Sequence, residues 1–124
     1  KATAVSILKQ LRNYKSMLTD KKILKLKEKI VDVSKFDSNA NLLKLLGDPT
    51  CLKILYILSR EKDVCPSDLT NILHLSMPAI SHQLSRLKHI GIVYPTRMGQ
   101  MICYSFSDTK EANFIKKLIE TTVL

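Results

Sequence analysis

Between Asp48 and Phe106 the chain is punctuated so densely that no element there can be long, and the punctuation falls on helix starts and stops. Asp48 precedes Pro49, a start signal, because an aspartate caps free backbone N–H groups and proline's missing N–H is not needed in a first turn. Leu52, Leu55 and Leu58 then make the buried stripe of a helix running to about Arg60. Glu61-Lys62-Asp63 reads as a loop, Pro66 opens a short helix through Leu69, Ile72 and Leu73, and His74-Leu75 makes a tight turn. Ser76 is the cap of a longer helix whose inward positions are Ile80, Leu84 and Leu87, and Gly91 stops it. Residues 92–94 and 101–106 alternate as two strands, joined by a turn at 96–100 around Gly99.

Helices flank this region on both sides. Ile7, Leu8, Leu11, Tyr14 and Leu18 recur at helical spacing, and after Thr19-Asp20 a second set follows at Ile23, Leu26, Ile30 and Val33. The lysines on their outer faces form a solvated surface or a DNA-contacting arm. Asp37-Ser38-Asn39 offers caps for a short helix through Leu42, Leu43, Leu45 and Leu46, closed by Gly47. Asp108 is the expected cap of a last helix carrying Phe114, Ile115, Leu118 and Ile119.

The expected fold is therefore mostly α with a small β-hairpin wing: a winged helix-turn-helix with extra N-terminal helices and a C-terminal helix. The expected domains are a helical extension over 1–40, the winged region over 41–107 and a C-terminal helix over 108–124. At 124 residues, with 45% hydrophobic and 25% charged residues, the chain has the material for one hydrophobic core. The apolar run at 52–58 is far short of a membrane span and Lys53 interrupts it, while Lys9, Arg12 and Lys15 break any signal-peptide core, so the expected location is cytoplasmic. No nucleophile–base pair, no paired carboxylates at useful spacing and only three glycines argue against an enzyme.

Charge points to a polyanion. The net charge is +9, and residues 74–107 hold three Lys/Arg, all three histidines and no carboxylate at all. Such a surface meets phosphate without repulsion. On a recognition helix starting at Ser76, the candidates for DNA contact are Ser76, Met77, Pro78, Ala79, Ser81, His82, Gln83 and Arg86. Gln83 has the donor and acceptor to pair bidentately with adenine, Ala79 is small enough for a thymine methyl, and Ser81 and His82 suit bases or phosphate. Arg97 and Gln100 flank the wing turn, where arginine suits phosphate or a narrow minor groove.

Leu45-Leu46-Gly47-Asp48-Pro49-Thr50, Ser76-Met77-Pro78-Ala79-Ile80-Ser81-His82-Gln83-Leu84 and Leu87-Lys88-His89-Ile90-Gly91-Ile92-Val93 resemble the ArsR/SmtB family of bacterial and archaeal repressors, over about residues 41–107. The resemblance implies a homodimer joined through its terminal helices that blocks double-stranded operator DNA until a metal ion or other inducer releases it. A dimer also agrees with the stripes Ile23, Leu26, Ile30 and Phe114, Leu118, Ile119, which a symmetric partner would bury.

Many members of that family carry two cysteines one residue apart at the start of the motif's first helix, where they bind a soft metal. Here that place reads Cys65-Pro66-Ser67-Asp68, with the second cysteine replaced by serine. The metal or redox candidates are thus Cys65, Cys51 and Cys103, and a soft ion (Cd, Pb, As or Zn) or thiol oxidation is the expected signal. Three widely spaced cysteines read as reduced thiols; a Cys51–Cys65 pair is too far apart to join, Cys51 also reads as a small core residue, and Cys103 falls on the strand face opposite Ile102, Tyr104 and Phe106, where it is expected to be exposed. The last helix lacks histidine, which removes the aspartate–histidine zinc site of other family members.

Overall fold

A computed structural model describes residues 15–31 and 33–123, together with Ala4 and Ile7. The first expected helix falls mostly outside the described residues. The chain divides into two compact units, 1–41 and 42–124.

In the first unit α1 spans Asp20–Ile30, and the Thr19 hydroxyl caps it by accepting from the Lys22 N–H at 3.3 Å. Asp20 in its first turn and Lys27 and Lys29 in its last oppose the helix dipole favourably. No residue of α1 is buried; Leu26 and Ile30 are exposed and Ile23 is half-buried. The next helix, α2, runs over Val33–Leu46, much longer than the segment expected after Asp37-Ser38-Asn39. Those residues do not cap. Ser38 Oγ donates to Ser34 O within the helix at 2.6 Å, a back-bond that lets a polar residue sit mid-helix. The helix ends where expected, with the Gly47 N–H bonded to Leu43 O at 2.9 Å.

The second unit begins in the last turn of α2, whose Leu45 and Leu46 enter the core. Then come α3 (Pro49–Arg60), α4 (Pro66–Leu73), α5 (Met77–His89), β1 (Val93–Met98), β2 (Met101–Phe106) and α6 (Lys110–Val123). This is the winged helix-turn-helix. Asp48 caps α3 through the Cys51 N–H at 3.3 Å, and Ser76 caps α5 through the Ala79 N–H at 3.3 Å. The turn between α4 and α5 passes through the left-handed region at His74 (φ 55°), and Gly91 (φ 79°) ends α5 where a β-carbon would be strained. The strands pair antiparallel from Val93↔Phe106 to Met98↔Met101, leaving a loop of only Gly99 and Gln100. Gly99 takes the positive φ (66°) that such a tight hairpin needs at its first loop position, so the turn is shorter than the expected five residues.

Cys51, Ile54, Leu55 and Leu58 of α3 are buried, and α6, β2 and the rest of the core gather on them. Residues 108–123 fold with this core. Ala112, Ile115 and Ile119 of α6 are buried against it, while Phe114 and Leu118 are 69% and 40% exposed. Ile119, at 1% exposure, therefore belongs to its own core and not to a surface open to a partner. The helix cap is also one residue later than expected: Thr109 Oγ1 accepts from the Ala112 N–H at 3.1 Å, while Asp108 Oδ1 accepts from Asn113 Nδ2 at 3.0 Å.

Truncating a fully buried branched side chain costs about 2–5 kcal/mol. Ile115→Ala should therefore lower unfolding stability in urea by about that amount, whereas a loss near zero would detach α6 from this core.

Candidate nucleic-acid interface and thiol pair

Helix α5 is divided cleanly. Ile80, Leu84 and Leu87 anchor one face in the core, and Met77, Pro78, Ala79, Ser81, His82 and Arg86 are exposed on the other, with Ser76 exposed at the cap. The first turn lies at the positive end of the helix dipole, although the Ser76 cap takes the Ala79 N–H and Pro78 has none, and no acidic side chain follows until Asp108. At the wing tip Arg97 and Gln100 are both exposed. Arg97 Nε donates to Gly99 O at 3.3 Å, which ties the side chain to the turn and leaves its terminal nitrogens to meet phosphate.

Gln83 departs from expectation. It is half-buried, its Nε2 donates to Asp48 Oδ2 at 2.7 Å, and its Oε1 is buried. Both edges of the amide that a base would need are turned into the protein.

The cysteines also depart from expectation. Cys65 and Cys103 form a disulfide across a sequence separation of 38, so they are not reduced thiols here, and Cys103 is fully buried rather than exposed. Alternation along β2 holds, but both faces are covered: Tyr104 and Phe106 are half-buried against the core, and Cys103 and Ser105 are buried on the other side, while Ile102 is half exposed, at 50%. The loop between α3 and α4 lies along β2 and closes off the Cys103 and Ser105 side. Val64 N–H donates to Tyr104 O at 2.9 Å, Tyr104 N–H to Val64 O at 2.7 Å, and Asp63 N–H to Ser105 Oγ at 2.8 Å. Ser105 Oγ in turn donates to Asp63 Oδ1 at 3.3 Å. Cys65 thus arrives beside Cys103 at the start of α4, where its own N–H donates to Asp68 Oδ2 at 2.9 Å.

Cys51 is the free cysteine among the described residues, and it is buried. Burial, with the Asp48 carboxylate adding to it, pushes its thiol up to about 11 against a smaller opposing effect of Arg86, so it carries no thiolate at neutral pH and is a core residue rather than a sensor. No three metal-ligating side chains converge among the described residues, and His74, His82 and His89 are all exposed.

The family described as "Bacterial regulatory protein, arsR family" matches residues 48–94, which run from the cap of α3 into β1. The cadmium resistance transcriptional regulatory protein CadC homolog of Staphylococcus aureus is 36% identical over 85 residues, 68% of this chain and 67% of that protein. This chain belongs to the ArsR family. As a member it is a winged-helix transcriptional regulator and not an enzyme. Two solved structures superpose on it: the transcriptional repressor BigR from Xylella fastidiosa (TM-score 0.63, 27% identity, 73% of this chain and 88% of that one) and reduced HlyU from Vibrio cholerae N16961 (TM-score 0.60, 25% identity, 74% and 100%). The pairing of Cys65 at the start of α4 with Cys103 on β2 depends on the path of the 63–65 loop and so leaves no mark in local sequence.

After reduction, iodoacetamide near neutral pH should modify the half-buried Cys65 first and leave Cys51 untouched until the protein unfolds. Peptide mass spectrometry reads the order, and early labelling of Cys51 would contradict its place in the core.

Proposed function

We propose that this ArsR-family regulator is a homodimeric, sequence-specific repressor whose hold on double-stranded operator DNA is governed by the oxidation state of Cys65 and Cys103. The observation that carries the reading is the disulfide between them, which joins the start of α4 to the wing strand β2. Helix α4 packs on α5, and α5 packs on β1. The bond therefore constrains the recognition helix and the wing relative to each other. Ser76, Met77, Pro78, Ala79, Ser81, His82 and Arg86 contact the major groove and its phosphates, while Arg97 and Gln100 reach the flanking backbone.

Oxidation of the two thiols gives one disulfide, two protons and two electrons, which pass to a disulfide or peroxide oxidant. With the bond closed the wing is fixed in the arrangement described above, and operator affinity is low. The names of relatives point to cadmium, but the reduced pair supplies only two thiolates, and a soft-metal site of three or four ligands does not fit the described residues. Thiol oxidation is the better match.

The second copy covers Phe114 and Leu118 of α6 and the exposed Leu26 and Ile30 of α1. Among the described residues no helix is long and apolar enough to cross a membrane, in keeping with a cytoplasmic site of action.

Fluorescence anisotropy of the reduced protein with the DNA upstream of its own gene, at two salt concentrations, tests this reading. Binding should be tight and salt-sensitive when reduced, and weakened when a disulfide reagent closes the pair; Cys65→Ser and Cys103→Ser should bind DNA and ignore the reagent. Release by Cd(II) but not by oxidant would favour the metal, and no binding at all would favour a protein-docking module. For the dimer, Phe114→Glu should shift the protein toward monomer in sedimentation velocity; an unchanged profile would place the subunit contact elsewhere.

A further inference from the structure

The hydrogen bond between Gln83 and Asp48 joins two helices that are otherwise set by apolar packing. The carboxylate oxygen that accepts from Gln83 Nε2 at 2.7 Å also accepts from the Cys51 N–H at 3.3 Å, so one atom both caps α3 and holds the middle of α5, across 35 residues of sequence. Chemistry dictates which way the amide faces. A carboxylate only accepts, so the NH2 group must point to Asp48 and the carbonyl must point away. That carbonyl, Gln83 Oε1, is the one buried side-chain polar atom without a hydrogen-bond partner among the described residues.

Leaving a buried carbonyl unpaired costs about as much as a hydrogen bond to a charged group contributes. The two nearly cancel, so an apolar side chain here would serve stability about as well. What the amide adds is direction. Ser81 and His82 precede Gln83 immediately, and Arg86 lies one turn beyond it. A residue in a helix turns its side chain by about 100° relative to the one before, so a small rotation of α5 changes which of these groups faces outward.

We infer that Gln83 is a positioning residue: through Asp48 it fixes the rotation and depth of the recognition helix, and thereby selects the side chains that meet DNA, instead of reading a base itself. This rests on the reading of α5 as the DNA-contacting helix. It assigns to the aspartate of the Gly47-Asp48-Pro49 start a second task beyond capping.

Exchanging donor and acceptor isolates the bond. Gln83→Glu sets two carboxylates against each other, whereas Asp48→Asn with Gln83→Glu restores the pair in reverse, keeps the net charge of the natural protein and retains a good helix cap. The natural protein, Gln83→Glu, Asp48→Asn and the double variant are compared in anisotropy with duplexes selected from a randomised library by the natural protein, and in thermal unfolding. Gln83→Glu should lose about tenfold or more in affinity for the selected duplex, and the double variant should recover most of it, because directly bonded pairs are energetically coupled. A Gln83→Ala protein put through the same selection should show weakened preference at every position of the site. Preference lost at a single base pair, or a double variant as weak as Gln83→Glu, would make Gln83 a base reader or a bystander and overturn the inference. If the natural protein selects no duplex, the reading of α5 as a DNA helix fails and this inference with it; recovery of the melting temperature in the double variant would then show that the bond is purely structural.

Discussion

Everything in the second unit leans on the burial of α3. Its Cys51, Ile54, Leu55 and Leu58 are buried, with Leu52, Tyr56 and Ile57 packed at the margin, so the helix is covered on most sides by apolar contact. Burying a branched apolar side chain is worth about 1.5–3 kcal/mol, and α3 concentrates several of these in twelve residues. The helices that display chemistry are held from one side only. α5 gives the core Ile80, Leu84 and Leu87 and keeps its other face for the solvent, and α6 does the same with Ala112, Ile115 and Ile119. A scaffold of this kind tolerates a polar, basic display surface because the display does not carry the stability.

What was legible in the sequence follows from how far its cause lies along the chain. Asp48 before Pro49, Ser76 before Pro78, and Gly91 after the last leucine of α5 are local signals, settled by hydrogen bonds three or four residues away, and each element starts or stops where those signals stand. The inward leucines were equally plain, since a helix buries every third or fourth residue whatever it packs against. Asp37-Ser38-Asn39 misled for a related reason: polar residues that cap so well can also bond back to the helix, and Ser38 does. Asp108 and Thr109 compete for one cap, and the sequence does not show which of two adjacent oxygens wins.

The site was less legible because its decisive contacts are long-range. Alternation along β2 correctly separated Cys103 from Tyr104, but the burial of the Cys103 side depended on the 63–65 loop pairing with β2 from forty residues away. The large side chains Tyr104 and Phe106 do pack against the core, and the small residues Cys103 and Ser105 are buried as well because the loop meets them from the other side. Gln83 was misread in the same manner. A polar residue on the exposed side of a recognition helix is a natural base reader until a carboxylate 35 positions earlier takes its donor.

The covalent link between Cys65 and Cys103 makes a ring of the chain between them. That ring contains all of α4, all of α5, all of β1 and the wing tip, which is to say every candidate DNA contact of the recognition helix and wing. While the ring is closed, a protease cut anywhere inside it yields two pieces that stay joined, and local opening of the wing cannot grow into separation from α4. Once it is reduced, the same segment is an ordinary linear stretch, free to fray from its hairpin inward. The display surface and the redox boundary of the molecule are thus the same length of chain, so chemistry at two sulfur atoms changes the topology of the whole of that surface at once.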